Sequence, residues 1–350
     1  MMPKVSFVVA MYKVAPYIER CLRSLYGQTY ENMEYVLVDD ASPDDSSDLA
    51  MRLLDEFPHR RNQVRLVRHE QNKGLSPTRR DGFYAATGDY VIFFDGDDYV
   101  ELNMVEHLVQ KALDEEADIV VCDYYNGRWF SSEQVASDNL CYLSNPDHFR
   151  YDIIVHRCDD YVWRRMFRRI LITNHDFLWP AAAMHEDMVI SSQLAFYASK
   201  VVLLPEPLVH YTFNGSSITA EITKQLLLNR FRESCANLEV CREFYNRQGL
   251  LGEYPEGMDV NILKTVHVLL RLTGQWKYRL MWLTTYPRVI WLMLVGTRHI
   301  PSTSNNRLWF FLIMLGLFPK HSHKYYKGKH AVTNLWKSSP EPSKMISRTT

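Results

Sequence analysis

Apolar positions follow two rhythms over the first third of the chain. Five short runs, VSFVVA (5–10), EYVLV (34–38), VRLV (64–67), YVIFF (90–94) and DIVVC (118–122), are rich in β-branched and aromatic residues and nearly continuous. Runs of this kind predict strands buried on both faces of a sheet. Between the first four lie segments with helical spacing. Ile18, Cys21, Leu22 and Leu25 share one face of 15–28; Leu49, Leu53 and Leu54 share one of 44–57, with Asp44 and Asp45 as N-cap candidates; 75–86 makes a third. Strand–helix alternation of this length predicts an α/β fold, a doubly wound, mostly parallel sheet with flanking helices. Ligands of such sheets gather at the carboxyl ends of the strands.

Farther on the pattern thins over 123–160 and regains helical character over 161–200. VVLL (201–204) predicts a strand. Residues 222–248 predict a long helix with Leu226, Leu227, Phe231, Leu238, Cys241 and Phe244 on its buried face. The expected organisation is an α/β domain over 1–220, a helical region over 221–337 and a disordered tail over 338–350.

Charge changes this picture only through its distribution. The 350 residues carry a net charge of −1, which gives no reason to expect a nucleic-acid partner. From Lys264 onward there are 14 Lys or Arg and one acid, Glu341, leaving 26 basic and 40 acidic residues before it. With Trp276, Trp282, Trp291 and Trp309 interleaved, this basic end predicts contact with an anionic membrane surface. The longest apolar run, LWFFLIMLGLF (308–318), is well short of the ~20 residues a spanning helix needs. The chain enters VSFVVA directly, with no leader pattern, and its six cysteines form no CxxC pair. The expectation is a cytoplasmic protein, peripheral on the inner face of the membrane, with free thiols and no zinc site.

Two acidic clusters sit at predicted strand ends: Asp39–Asp40 after YVLV, and Asp95, Asp97 and Asp98 after YVIFF. Gly96 lets the second cluster turn tightly, so that Asp95 and Asp97 can aim into one site. Oxygen ligands of this kind suit Mg2+ or Mn2+. Asp98 could instead cap a helix over 100–113.

These blocks, with NKGLSPTRRDGF (72–83), VWRRMFRR (162–169), HEDM (185–188) and HYTFNGSSIT (210–219), resemble the family 2 glycosyltransferases in order and spacing over residues 3–220. The resemblance implies a GT-A fold and inverting transfer of a sugar from a nucleotide diphosphate sugar, most often a UDP-sugar. The acceptor would be a hydroxyl of a glycan or lipid-linked glycan, as in cell-surface polysaccharide synthesis. It maps the nucleoside-contacting acid to Asp40, with Asp39 beside it, and the metal-binding DxD pair to Asp95 and Asp97, extended by Asp98. It maps the general base to Asp187, with Glu186 before it. Arg79 would pair with the acids or the donor phosphates, and Trp163, with Glu186 and Asp98, would contact sugar or acceptor. His185 and His210 flank these blocks and read as packing residues rather than ligands. Lys13, Ala10, Arg164–Arg165 and Phe213 depart from the family's usual residues, which leaves donor and acceptor preference open. Two other readings compete. A nucleotidyltransferase would want a Gly-rich phosphate loop, which AMYKVAPY lacks; a non-catalytic carbohydrate-binding relative would not need both the DGDD and HEDM acids.

Overall fold

The computed structural model describes residues 2–126, 134–136, 148–156, 158–212, 214, 224–253 and 261. The basic aromatic region beyond 261, the tail from 338, and Phe213 lie outside the described residues. The chain divides into two compact units, Met1–Leu251 and Gly252–Thr350. All that follows concerns the first.

Its elements are β1 (Val5–Met11), α1 (Ala15–Tyr26), β2 (Met33–Asp39), α2 (Ser46–Arg52), β3 (Val64–Arg68), α3 (Leu75–Ala85), β4 (Tyr90–Asp95), β5 (Tyr99–Val100), α4 (Met104–Asp114), β6 (Ile119–Asn126), β7 (Gln134–Ala136), α5 (Phe149–Ile154), β8 (Arg165–Arg168), α6 (Ile170–Thr173), α7 (Glu186–Tyr197), β9 (Val201–Tyr211) and α8 (Lys224–Arg247). One sheet runs in the order β3-β2-β1-β4-β8-β6-β9-β5, with β7 beside β6.

The first four strands in that order are parallel, as the alternation predicts. All seven residues of β2 are buried, which accounts for its lack of polar alternation. β3 closes the edge and is only half-buried. Beyond β4 the sheet becomes mixed. β8 runs antiparallel to both β4 and β6, while β9 is parallel to β6 and antiparallel to β5. The helical character read over 161–200 is therefore broken by a strand. β8 is four residues, RMFR, too short and too charged to announce itself, and its neighbours on both sides impose the pairing. The strand read at 201–204 continues to Tyr211 through Pro205 and Pro207, where the pairing with β6 shifts register.

Helix–sheet packing is tight where it matters for the site. Gly82 on α3 lies so close to the sheet that an added Cβ would sit 2.4 Å from Val8 Cγ1 and 2.8 Å from Val38 Cγ2. On α1, Ile18, Cys21, Leu22 and Leu25 are buried as their spacing predicts. On α8, Phe231, Leu238, Cys241 and Phe244 are buried, and the Phe244 ring meets Phe196 of α7 edge-on at 5.5 Å. Each fully buried side chain of this size contributes roughly 1.5–3 kcal/mol before entropy is set against it. No helix among the described residues is long and apolar enough to cross a membrane. The five described cysteines, Cys21, Cys122, Cys158, Cys235 and Cys241, are all buried.

Candidate functional site

Parallel strands in register end together. Met11 at the end of β1 lies opposite Asp39 of β2, and Ala10 opposite Asp95 of β4. The two acidic clusters therefore flank the end of β1 on one edge of the sheet. The backbone there is unusual. Lys13, Ala41 and His185 have left-handed φ angles of 56°, 56° and 62° without being glycine. Such conformations persist where the surroundings over-determine them, often at functional sites.

The first cluster separates into two roles. Both Asp40 oxygens are occupied: Oδ1 pairs with His69 Nδ1 at 2.7 Å and accepts Lys73 N at 2.8 Å, and Oδ2 accepts Gly74 N at 2.8 Å. Asp40 thus builds the turn that launches α3. Asp39 accepts from Ser42 N at 2.9 Å through Oδ1.

In the second cluster, Asp95 and Asp97 are partly exposed and Asp98 is buried. Asp98 does not cap a helix, since α4 begins only at Met104 with Asn103 as its N-cap. Asp98 Oδ1 instead accepts Thr212 N at 2.7 Å and Thr212 Oγ1 at 3.1 Å. Asp97 Oδ2 accepts Asn214 Nδ2 at 2.8 Å, and Thr212 Oγ1 donates to Asp97 O at 2.6 Å. Arg20 of α1 reaches Asp97 O and Thr212 Oγ1 as well, its guanidinium over the Tyr99 ring. The end of β9 thus holds the acidic turn from behind. Thr212, Asn214 and Arg20 escaped the sequence reading; HYTFN was visible as a block, but nothing in it marks which side chains face the aspartates. Burial, and then the neighbouring Asp97 and Asp95, push the Asp98 carboxyl well above its ordinary pKa.

A third cluster, at the start of α7, is joined to the second. His185 is the N-cap of α7, so Glu186 and Asp187 open its first turn. Arg79 of α3, 1% exposed, holds both. Its Nη1 donates to Glu186 Oε1 at 2.5 Å and Asp187 Oδ1 at 2.8 Å, and its Nη2 to Asp95 at 3.0 and 3.3 Å. One guanidinium therefore links the acid ending β4 to the acids opening α7. Burial acts to lower the Arg79 pKa, but Asp95, Asp187 and Glu186 together raise it, so it stays a cation. Burial raises the Glu186 and Asp187 carboxyls; Asp187 adds to the effect on Glu186, and Arg79 opposes it at both.

Trp163 is 3% exposed and packs among Tyr124, Tyr161 and Tyr211, with ring centroids 4.9, 5.1 and 5.3 Å away. An indole so enclosed has little face to offer a sugar, and its stacking partners Tyr161 and Tyr211 are themselves half-buried. His210 is stacked between Tyr99 and Tyr125 and pairs with Glu101 at 2.7 Å.

Among the described residues no three His, Cys, Asp or Glu side chains gather as a ready-made metal cage. Mg2+ and its like need no such cage; they take one or two carboxylates and complete their shell with phosphate oxygens and water. Asp95 and Asp97 meet that requirement. Two buried polar atoms beside them, Asp98 Oδ2 and Arg79 Nε, lack hydrogen-bond partners. The donor set fits a hard divalent cation carrying a diphosphate.

Comparison with known proteins bears on the sequence and the fold. The sequence pattern of the family described as glycosyl transferase family 2 matches residues 6–171. The uncharacterized glycosyltransferase EpsJ of Bacillus subtilis (strain 168) is 32% identical over 271 residues, covering 75% of this chain and 76% of that one. Among solved structures, S. aureus TarS 1–349 in complex with UDP-GlcNAc superposes with a TM-score of 0.53 at 18% identity, over 81% of this chain and 87% of that one. Mannosyltransferase PcManGT from Pyrobaculum calidifontis, in complex with GDP-Man and Mn2+, gives 0.54 at 16% identity, over 97% and 89%. The two structural likenesses show the fold, and the sequence relationship shows the kinship: this chain belongs to glycosyl transferase family 2 and is a transferase built on the GT-A fold.

Proposed function

We propose that the chain moves a sugar, with inversion, from a nucleoside diphosphate donor to a hydroxyl of a glycan or lipid-linked glycan, with Asp187 as the base. The observation that carries this reading is Arg79, which sets Asp187 and Asp95 on the two arms of one guanidinium. A carboxylate that can take a proton and a carboxylate that can face a diphosphate are thereby held at a fixed separation.

In the proposed reaction the acceptor oxygen attacks the anomeric carbon. The bond from that carbon to the β-phosphate oxygen breaks, and the nucleoside diphosphate leaves with the electron pair. The acceptor's proton passes to Asp187 Oδ. Burial raises the Asp187 pKa, which brings it toward the operating pH and makes it a better match for a general base. Arg79 holds its ring of acids in place before substrate arrives, so little reorganisation is needed at the moment of attack. Asp95 and Asp97 would hold Mn2+ or Mg2+, which supplies charge neutralisation at the departing diphosphate. Asp39, rather than the fully engaged Asp40, is the acid we assign to the nucleoside.

A UDP-sugar is the first donor to try, because TarS is seen with UDP-GlcNAc; GDP-mannose is the second, because PcManGT is seen with it. The basic aromatic stretch beyond Lys264 supports an acceptor at an anionic membrane surface on the cytoplasmic side.

The test is a thermal-shift and donor-hydrolysis screen over both donors, with and without Mn2+, on the wild type, Asp97→Ala and Asp187→Asn. Stabilisation that needs both donor and metal, lost in Asp97→Ala, is expected. Asp187→Asn should keep that stabilisation and lose about 10²–10⁴-fold in turnover. A wild-type rate retained in Asp187→Asn would remove it from the role of base.

A further inference from the structure

The segment that presents the base has no regular structure of its own. Residues 177–185 lie between α6 and α7 without helix or strand. Backbone groups in such a stretch need partners from elsewhere, and here side chains of three helices supply them. Gln193 of α7 brackets Leu178, its Oε1 accepting Leu178 N at 2.8 Å and its Nε2 donating to Leu178 O at 2.7 Å. Ser76 of α3 donates to Pro180 O at 2.6 Å. The last stretch, next to His185, is held from α8. Asn237 Oδ1 accepts Ala182 N at 3.1 Å, while its Nδ2 donates to Ala182 O at 2.9 Å and Met184 O at 2.8 Å. Glu233, one turn earlier, accepts Met184 N at 3.2 Å.

Asn237 is 0% exposed, and its amide is matched at both ends. It pairs with Ala182 as one strand pairs with another, through a donor and an acceptor at once. Only a primary amide does this; a carboxylate lacks the donor and an aliphatic side chain lacks both. The clamp ends one residue before His185, whose left-handed backbone turns the chain into α7 and aims Glu186 and Asp187 at Arg79. Asn237 and Glu233 also lie beyond residues 6–171, the stretch matched by the family pattern.

We propose that Asn237, assisted by Glu233, is a positioning residue for the base: helix α8 sets the direction of Asp187 by fixing the backbone of 182–184. This rests on the reading of Asp187 as the base. Catalysis tolerates little error in such placement, since a shift of the order of 1 Å can cost about 10²-fold in rate. The catalytic unit then extends into α8.

The experiment uses the full chain and the variants Asn237→Ala, Asn237→Asp, Glu233→Gln and Asp187→Asn. The probes are UDP-GlcNAc and GDP-mannose, each with Mn2+. Three quantities are read: amide hydrogen exchange at Ala182 and Met184, the donor-dependent thermal shift, and kcat and KM for donor hydrolysis. In Asn237→Ala, faster exchange at both amides, an unchanged donor shift and KM, and a fall in kcat of ten-fold or more are expected. Asn237→Asp should fall with it, while Glu233→Gln, which keeps an acceptor for Met184 N, should stay near wild type. If Asn237→Asp does not fold, Glu233→Ala replaces it and should raise exchange at Met184 with a smaller loss of kcat. A kcat within two-fold of wild type in Asn237→Ala despite freed amides would overturn the proposal, as would an equal loss of donor binding and kcat. Failure of the underlying reading looks different: Asp187→Asn itself would retain hydrolysis.

Discussion

At the residue scale, the decisive feature is that one buried cation, Arg79, is matched by three acids, and a missing partner is costly. Removing Arg79 would leave Glu186, Asp187 and Asp95 without their shared cation. Arg79→Ala is expected to lose about 3–5 kcal/mol in denaturant unfolding, the cost of stranding buried acids, along with donor hydrolysis. Asp98 makes a complementary case. Its folded pKa is raised by burial and by its two acidic neighbours, so the stability it contributes is fully present below its unfolded pKa of about 3.9 and is lost as pH rises through the folded value. Asp98→Asn keeps the acceptor for Thr212 and removes the charge. Its melting temperature relative to wild type should therefore be most favourable at pH 8 and fall steadily toward pH 4. A difference that stays flat with pH would mean that Asp98 titrates alike in both states.

At the scale of elements, packing overrides propensity in α3. A glycine inside a helix is ordinarily about 1 kcal/mol worse than alanine. Gly82→Ala should nevertheless destabilise, by roughly 1–3 kcal/mol, because the new methyl group has nowhere to go between Val8 and Val38. The helix would have to lift from the sheet, and Arg79, one turn earlier, would lift with it. The same variant should therefore weaken donor hydrolysis, which a purely global loss of stability would not do at 10 °C. This scale also shows what the sequence could disclose. β1, β2 and β4 were legible because burial on both faces demands unbroken apolar runs, and the aspartates stood out because such runs rarely end in acids. β5 and β8 were not legible; two and four residues are too few for a period, and tertiary pairing alone makes them strands. Asp40 and Asp39 looked alike in sequence, and only the turn at Lys73–Gly74 separates their roles. Asn237 carried no signal at all, since a lone asparagine in a helix looks the same whether it faces solvent or a buried loop.

At the scale of the whole molecule, the chain joins an acidic first part to a basic last part. Deleting residues 276–350 should abolish sedimentation with vesicles of phosphatidylglycerol and phosphatidylcholine while leaving donor hydrolysis measurable. Binding by the intact chain should weaken as salt rises, since the Debye length shrinks to about 3 Å at 1 M. Sedimentation that survives the deletion would place the membrane contact within residues 1–275 instead.

Arg79 also bears on how this protein can change over time. Asp95 and Asp187 belong to opposite ends of the proposed reaction, yet they share a guanidinium. Residues joined in this way do not vary independently, and double-mutant cycles between them should show coupling of about 0.5–3 kcal/mol. A substitution that suits a new donor on the Asp95 side would shift Arg79, and with it the acid that serves the acceptor. New specificities in such a scaffold would then arise through paired changes, and single substitutions at either acid would misjudge what the other can tolerate.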